Sequence, residues 1–320
     1  MRARGSIVAL VTTLALTGCG SSHPQSAPAS TPTPDASASP SASAAPVKTP
    51  DARATPGSTS DVSAITKIVK SVAVTADYQH VVCQQLFTPD FVTTAFGGMN
   101  DCQEYQVGAG TGSHATGASV SDVKVEGDTA AGNVAVQGGS AGGSTGTWYF
   151  QRSAGTWRVA DQGVNYLRSN FKLGIARQAS TDSSNPFADT VYRDCFAVTV
   201  LALPDGQFRT AFFANQAGVS TLGQVVAPCD AKAPGGVSPF RALFEKEIRS
   251  ALAAQQLSAT TQNCAVYAMK KTISDPDLTD AILDETVPGA AADNNLQSLE
   301  TVTLSTCLGG PTSSAAPQPS

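Results

Sequence analysis

The chain is 320 residues long and carries 25 acidic against 20 basic side chains, a formal charge of −5. Its basic residues form no cluster, so the positive face that a nucleic-acid partner needs to displace counterions is missing, and no nucleic-acid partner is expected. Beyond the N-terminus no apolar run approaches about 20 residues, so no transmembrane helix is expected there.

At the N-terminus Arg2 and Arg4 precede an apolar stretch, residues 7–16, that is too short to span a bilayer and reads as an export signal. The stretch ends in Leu16-Thr17-Gly18-Cys19. This tetrapeptide resembles the bacterial lipobox, with an apolar residue, two small residues that fit the lipoprotein signal peptidase, and a Cys whose thiol takes diacylglycerol. The resemblance implies a signal peptide over residues 1–18 and lipid, palmitate included, on Cys19. It also implies attachment to the outer, extracytoplasmic side of the cell membrane. Loss of Arg2 and Arg4 with the leader leaves 18 basic and 25 acidic side chains, or −7. The membrane is then a partner through the lipid, where each buried methylene contributes about 0.8 kcal/mol.

Residues 19–58 are rich in Ser, Pro, Ala and Thr and almost devoid of large apolar side chains, so they are expected to form a disordered tether. A coil of that length holds its ends roughly 35 Å apart, and proline extends it further. Residues 309–320 share the composition and are expected to form a second disordered segment.

Seven cysteines is an odd number, and an exported chain normally pairs its thiols. With Cys19 assigned to lipid, six remain, for which about 15 connectivities exist in principle. Order along the chain favours neighbours: Cys83 with Cys102, Cys195 with Cys229, and Cys264 with Cys307.

Residues 59–308 are enough for two modest cores. The first, residues 59–171, opens after a Ser60-Asp61 capping signal with Ile65, Ile68, Val69, Val72 and Ala76, an apolar stripe at helical spacing. Short helical pieces broken at Pro89 follow, and then a loop over residues 97–112. From Val120 the period changes to two, with turns at Glu126-Gly127-Asp128 and Ser153-Ala154-Gly155, which reads as antiparallel hairpins.

Helices first and strands afterwards is the order of the nuclear-transport-factor-two-like fold, the ketosteroid-isomerase-like cone. Residues 59–171 resemble it through the striped helix, the strand and turn Val123-Lys124-Val125-Glu126-Gly127-Asp128-Thr129-Ala130, and the closing Gly155-Thr156-Trp157-Arg158-Val159. The resemblance implies a curled antiparallel sheet packed on N-terminal helices. Small exported lipoproteins with this cone often carry a Cys in the second helical piece and one in the loop after it, the placement of Cys83 and Cys102. Room is left for a homodimer through the cone sheet. The second region, residues 172–308, reads as a small all-α, disulfide-clipped domain with two Cys-bounded repeats, Cys195 to Cys229 and Cys264 to Cys307, joined by a helix over residues 240–252. The fold class expected is therefore α+β.

Motifs that suggest catalysis lack the surroundings their chemistry needs. Gly138-Gly139-Ser140-Ala141-Gly142 matches a nucleophile elbow but falls between two strands, where no strand-to-helix turn is expected. Ser121-Asp122-Val123-Lys124 matches Ser-x-x-Lys, but in a regular strand Ser121 and Lys124 point to opposite faces. Gly108-Ala109-Gly110-Thr111-Gly112 precedes no helix, so no phosphate cradle is expected. The three His residues include no pair at ligand spacing, and no metal or other cofactor is expected.

A pocket is expected at Asp77, Tyr78, His80 and Trp157, where Asp77 and His80 share a helix face that could do acid or base work. No catalytic residue is assigned. The function expected is non-enzymatic binding or an accessory role in the envelope, with a small apolar ligand or an envelope protein as partner. The alternative is an isomerase, dehydratase or hydrolase acting in the cone, since such folds host many activities.

Overall fold

The computed structural model describes residues 54–75, 78–104, 114–177, 185–213, 222–254, 256–284 and Cys307. The expected signal peptide, Cys19, nearly all of the tether and the tail lie outside these residues. The fold is α+β: an antiparallel sheet with helices, followed by a disulfide-clipped helical region. Two compact units meet in sequence between Leu173 and Gly174.

In the first unit β1 (Thr55–Pro56) leads into α1 (Thr59–Val74). Ser58 rather than Ser60 caps this helix: its hydroxyl accepts from the Asp61 N–H and donates to the Asp61 carboxylate. Ile65, Ile68, Val69 and Val72 are buried at the spacing of one helix face. A π-helix, Tyr78–Leu86, follows, and then α2 (Pro89–Phe96), which starts with Thr88 as cap and Pro89 in its first turn. Gly97, at φ +83°, closes α2 in the left-handed region. The expected loop is corrected in part. Residues Met99–Glu104 form a short helix, α3, held to the π-helix by the Cys83–Cys102 disulfide. The rest of that stretch, with the Gly-rich motif at 108–112, lies outside the described residues except Gly97 and Gly98.

β2 (Gly117–Glu126), β3 (Thr129–Gln137), β4 (Thr145–Ser153) and β5 (Thr156–Gln162) form a meander in the order β1-β2-β3-β4-β5. Alternation carries the core: Ala130, Val134 and Val136 of β3 and Trp148 and Phe150 of β4 are buried, whereas Asn133 and Gln151 are exposed. Ala154 and Gly155, both at positive φ, make the tight turn whose twist suits a hairpin. The sheet is open and uncurled, in contrast to the curl that the cone resemblance implies. β1 is only two residues long, so the β1 edge cannot extend the sheet round toward β5. α4 (Val164–Arg177) begins against β4, where Asn165 accepts from the Thr147 N–H and Gly146 leaves room for the Tyr166 backbone.

One expectation about β2 is overturned. Ser121 pairs with Asn133 and Lys124 with Ala131, so one extra residue is bulged out between them, with Asp122 at φ +52°. The bulge reverses the alternation and brings Ser121 and Lys124 to the same face.

The second unit holds α5 (Thr190–Leu201), α6 (Asp205–Phe212), α7 (Leu222–Asp230), α8 (Pro239–Ala254), α9 (Ala259–Thr272) and α10 (Asp275–Asp284). Its centre is aromatic: the rings of Phe187, Tyr192, Phe196 and Phe240 meet with centroids 5.0–6.4 Å apart, mostly edge to face or tilted. Disulfides join Cys195 of α5 to Cys229 of α7, and Cys264 of α9 to Cys307, so all three bridges have the connectivity read from chain order.

Candidate functional site

Of the four residues expected to form a pocket, the structure describes the side chains of His80 and Trp157. Asp77 lies outside the described residues, and Tyr78 and His80 fall on the π-helix, where His80 is exposed. Trp157 is buried and engages different partners. Its indole N–H donates to Asp61 at 3.0 Å, and the Arg152 guanidinium lies 4.6 Å from its ring centroid. Arg152 also donates to Asp61 at 3.2 Å, to Asp128 at 3.2 Å and to the Gly127 carbonyl at 3.0 Å. The cluster ties the first turn of α1 to β4, β5 and the β2–β3 turn.

The hydroxyl of Ser58 and the indole N–H of Trp157, with the Arg152 charge behind them, hold the Asp61 carboxyl below its ordinary range, against a smaller opposing effect of burial. A carboxylate held ionised by its donors is a poor proton acceptor, so the geometry gives Asp61 a positioning role. Because its folded value is depressed, its stabilising contribution is complete above the ordinary carboxylate range and is lost as pH falls through the folded value. Acid titration of Asp61→Asn should therefore show weaker acid sensitivity in the first unit than wild type. Coincident acid transitions would contradict this role.

Two of the catalytic look-alikes can be placed. Gly138 to Gly142 is the β3–β4 connection, with Gly138 and Gly139 at positive φ, and no helix follows it directly. Ser121 and Lys124 share a face through the bulge, but the Ser121 hydroxyl donates to Asp122 at 3.1 Å, and both residues are exposed. Among the described residues no group of three or more His, Cys, Asp or Glu side chains could hold a metal ion. No helix among them is long and apolar enough to cross a membrane.

A cluster of buried polar side chains was not anticipated from sequence. It lies in the second unit, where Asp230 ends α7 and faces Tyr192 of α5, Ser238 at the start of α8, and Arg241 of α8. All four side chains are buried. Among the described residues, Asp230 Oδ1, the Tyr192 hydroxyl, Ser238 Oγ and Arg241 Nη1 form no hydrogen bond of ordinary geometry, although Tyr192 and Ser238 lie near enough to Asp230 to favour its ionised form. Arg241 binds Asp275 through Nε and the Ile273 carbonyl through Nη2, at 2.6 Å for the latter. Burial, reinforced by Asp275, pushes the Asp230 carboxyl up, while Ser238, Tyr192 and Arg241 pull the other way. Burial and then the Asp230 charge push the Tyr192 hydroxyl up as well. The one local signal was the neighbouring Cys229, which is buried and bridged to Cys195.

Comparison with family models, curated proteins and solved structures finds no match to this chain.

Proposed function

We propose that this protein is an exported lipoprotein, held on the outer side of the cell membrane by lipid on Cys19, whose two folded units act by binding rather than by catalysis. The supporting observation is the cysteine pairing. Six of the seven cysteines are joined in three disulfides, which leaves Cys19 as the odd one, and Cys19 closes the lipobox-like Leu16-Thr17-Gly18-Cys19. Three disulfides suit an oxidising compartment, and a lone thiol in such a chain needs its own chemistry.

The first unit is read as a member of the nuclear-transport-factor-two-like group in an open form. A binding role is favoured because the polar side chains of its best-defined cluster, Asp61, Arg152 and Trp157, are engaged with one another. The partner is a small apolar ligand or a protein of the envelope. Detergent phase partition of the protein from its producing cells tests the anchor. Wild type should enter the detergent phase, whereas Cys19→Ser should carry no lipid and keep its leader. Wild type recovered wholly in the aqueous phase would overturn the reading.

A further inference from the structure

Of the six large apolar side chains exposed among the described residues, Val191 and Val198 share one helix, α5, at 56% and 68% exposure. α5 turns Tyr192, Phe196 and Val200 into the aromatic centre of the helical unit, and a second apolar stripe lies roughly a third of a turn away from them. That stripe is Val191, Cys195, Val198 and Ala202, spaced by four, three and four residues, which is the spacing of a helix seam that packs knobs into holes. Cys195 is half-buried and its sulfur is bonded to Cys229, so it offers apolar surface and no thiol. The two charged side chains of α5, Arg193 and Asp194, pair with each other at 3.1 Å and leave the stripe uncharged.

The stripe matches itself. In an antiparallel pair of α5 helices related by a two-fold axis, Val191 of one copy meets Ala202 of the other and Cys195 meets Val198, so each valine faces a smaller group and the layers fill evenly. A parallel pair sets Val198 on Val198 and Ala202 on Ala202, which crowds one layer, thins the next and aligns the two helix dipoles. A membrane surface is a poorer occupant, because the stripe has neither a basic flank nor the large apolar side chains of an interfacial helix. We propose that α5 is a self-association surface, across which two copies of this chain pair antiparallel through Val191, Cys195, Val198 and Ala202.

α5 is 12 residues long, and a seam of that length buries less than the roughly 1,000 Å² that a stable interface clears, so the pair forms and parts reversibly. The seam belongs to the helical unit and needs no anchor. On the lipoprotein reading, tethers that confine copies to one surface raise their effective concentration and populate the pair.

Charge exchange across the seam tests both the partner and the orientation. The mature chain with Cys19→Ser, made without its leader, should show a reversible monomer–dimer equilibrium when sedimented from micromolar to millimolar concentration. Val191→Asp and Ala202→Lys, each alone in that chain, should weaken the dimer at least about tenfold by burying an unpaired charge. Both suit the folded monomer, since an acid is favoured in the first turn of a helix and a base at its end. An equimolar mixture of the two variants should recover most of the lost association, because the antiparallel pair sets the two new charges together. A monomer at every concentration, a dimer that neither variant weakens, or a mixture no tighter than the variants alone would overturn the proposal. The chain used carries no lipid, so these results stand apart from the test of the anchor.

Discussion

Reduction of the disulfides should melt the helical unit while the sheet unit stays folded. The helical unit is closed by two bridges across 34 and 43 residues, and the sheet unit by one across 19. On the chain-entropy account each of the longer bridges contributes about 3–4 kcal/mol, so the pair contributes about 7–8 kcal/mol to a unit whose total stability is of order 5–15 kcal/mol. Short helices such as α6 and α7 gain little from propensity alone and depend on being held against their neighbours. The sheet unit loses only about 3 kcal/mol and keeps its strand ladder. Both tryptophans, Trp148 and Trp157, lie in the sheet unit, so their fluorescence reports on it alone. Graded reductant should lower the far-ultraviolet helical signal first, with tryptophan emission unchanged. A single coincident transition would show that the bridges do not act in this way.

Trp148→Ala should cost the sheet unit about 3–5 kcal/mol, measured by urea unfolding with Trp157 emission as probe. Trp148 is 2% exposed and meets Tyr166 edge to face at 5.2 Å, so it links β4 to the start of α4. The cavity left by a tryptophan in a two-layer core has few ways to collapse. Trp148→Phe should be much milder. The Trp148 indole N–H is buried without an acceptor among the described residues, so the change removes volume and an orphaned donor together. Equal losses for the two variants would mean that the indole N–H has a partner or that the ring does not fill the core.

The elements legible in the sequence are those with local periodicity. The α1 stripe from Ile65 to Val72 and the alternation of β3 through β5 are buried as their periods require. Ser58 is the less conspicuous cap because Ser60 stands nearer the first buried residue, although Ser58 has the aspartate three positions on that a capping box needs. α3 is six residues long, too short to display a period. The β2 bulge is invisible to alternation alone. Val120 and Val123 both lie on the inner face, and that spacing of three was its trace.

Sites joined by long-range contacts were least legible. Asp61 and Trp157 are 96 residues apart, and Asp230 meets Tyr192 only through the packing of α5 on α7. No local pattern encodes such meetings. Cysteines were the exception, because covalent pairing adds a parity rule to chain order, and the three bridges follow it.

That same parity leaves Cys19, and mass spectrometry of the N-terminal peptide of the mature protein, isolated from its producing cells, tests the anchor most directly. The account predicts a chain that begins at Cys19 with diacylglycerol in thioether linkage to its sulfur. Cleavage at another position, or an unmodified Cys19 in protein free of membranes, would contradict it.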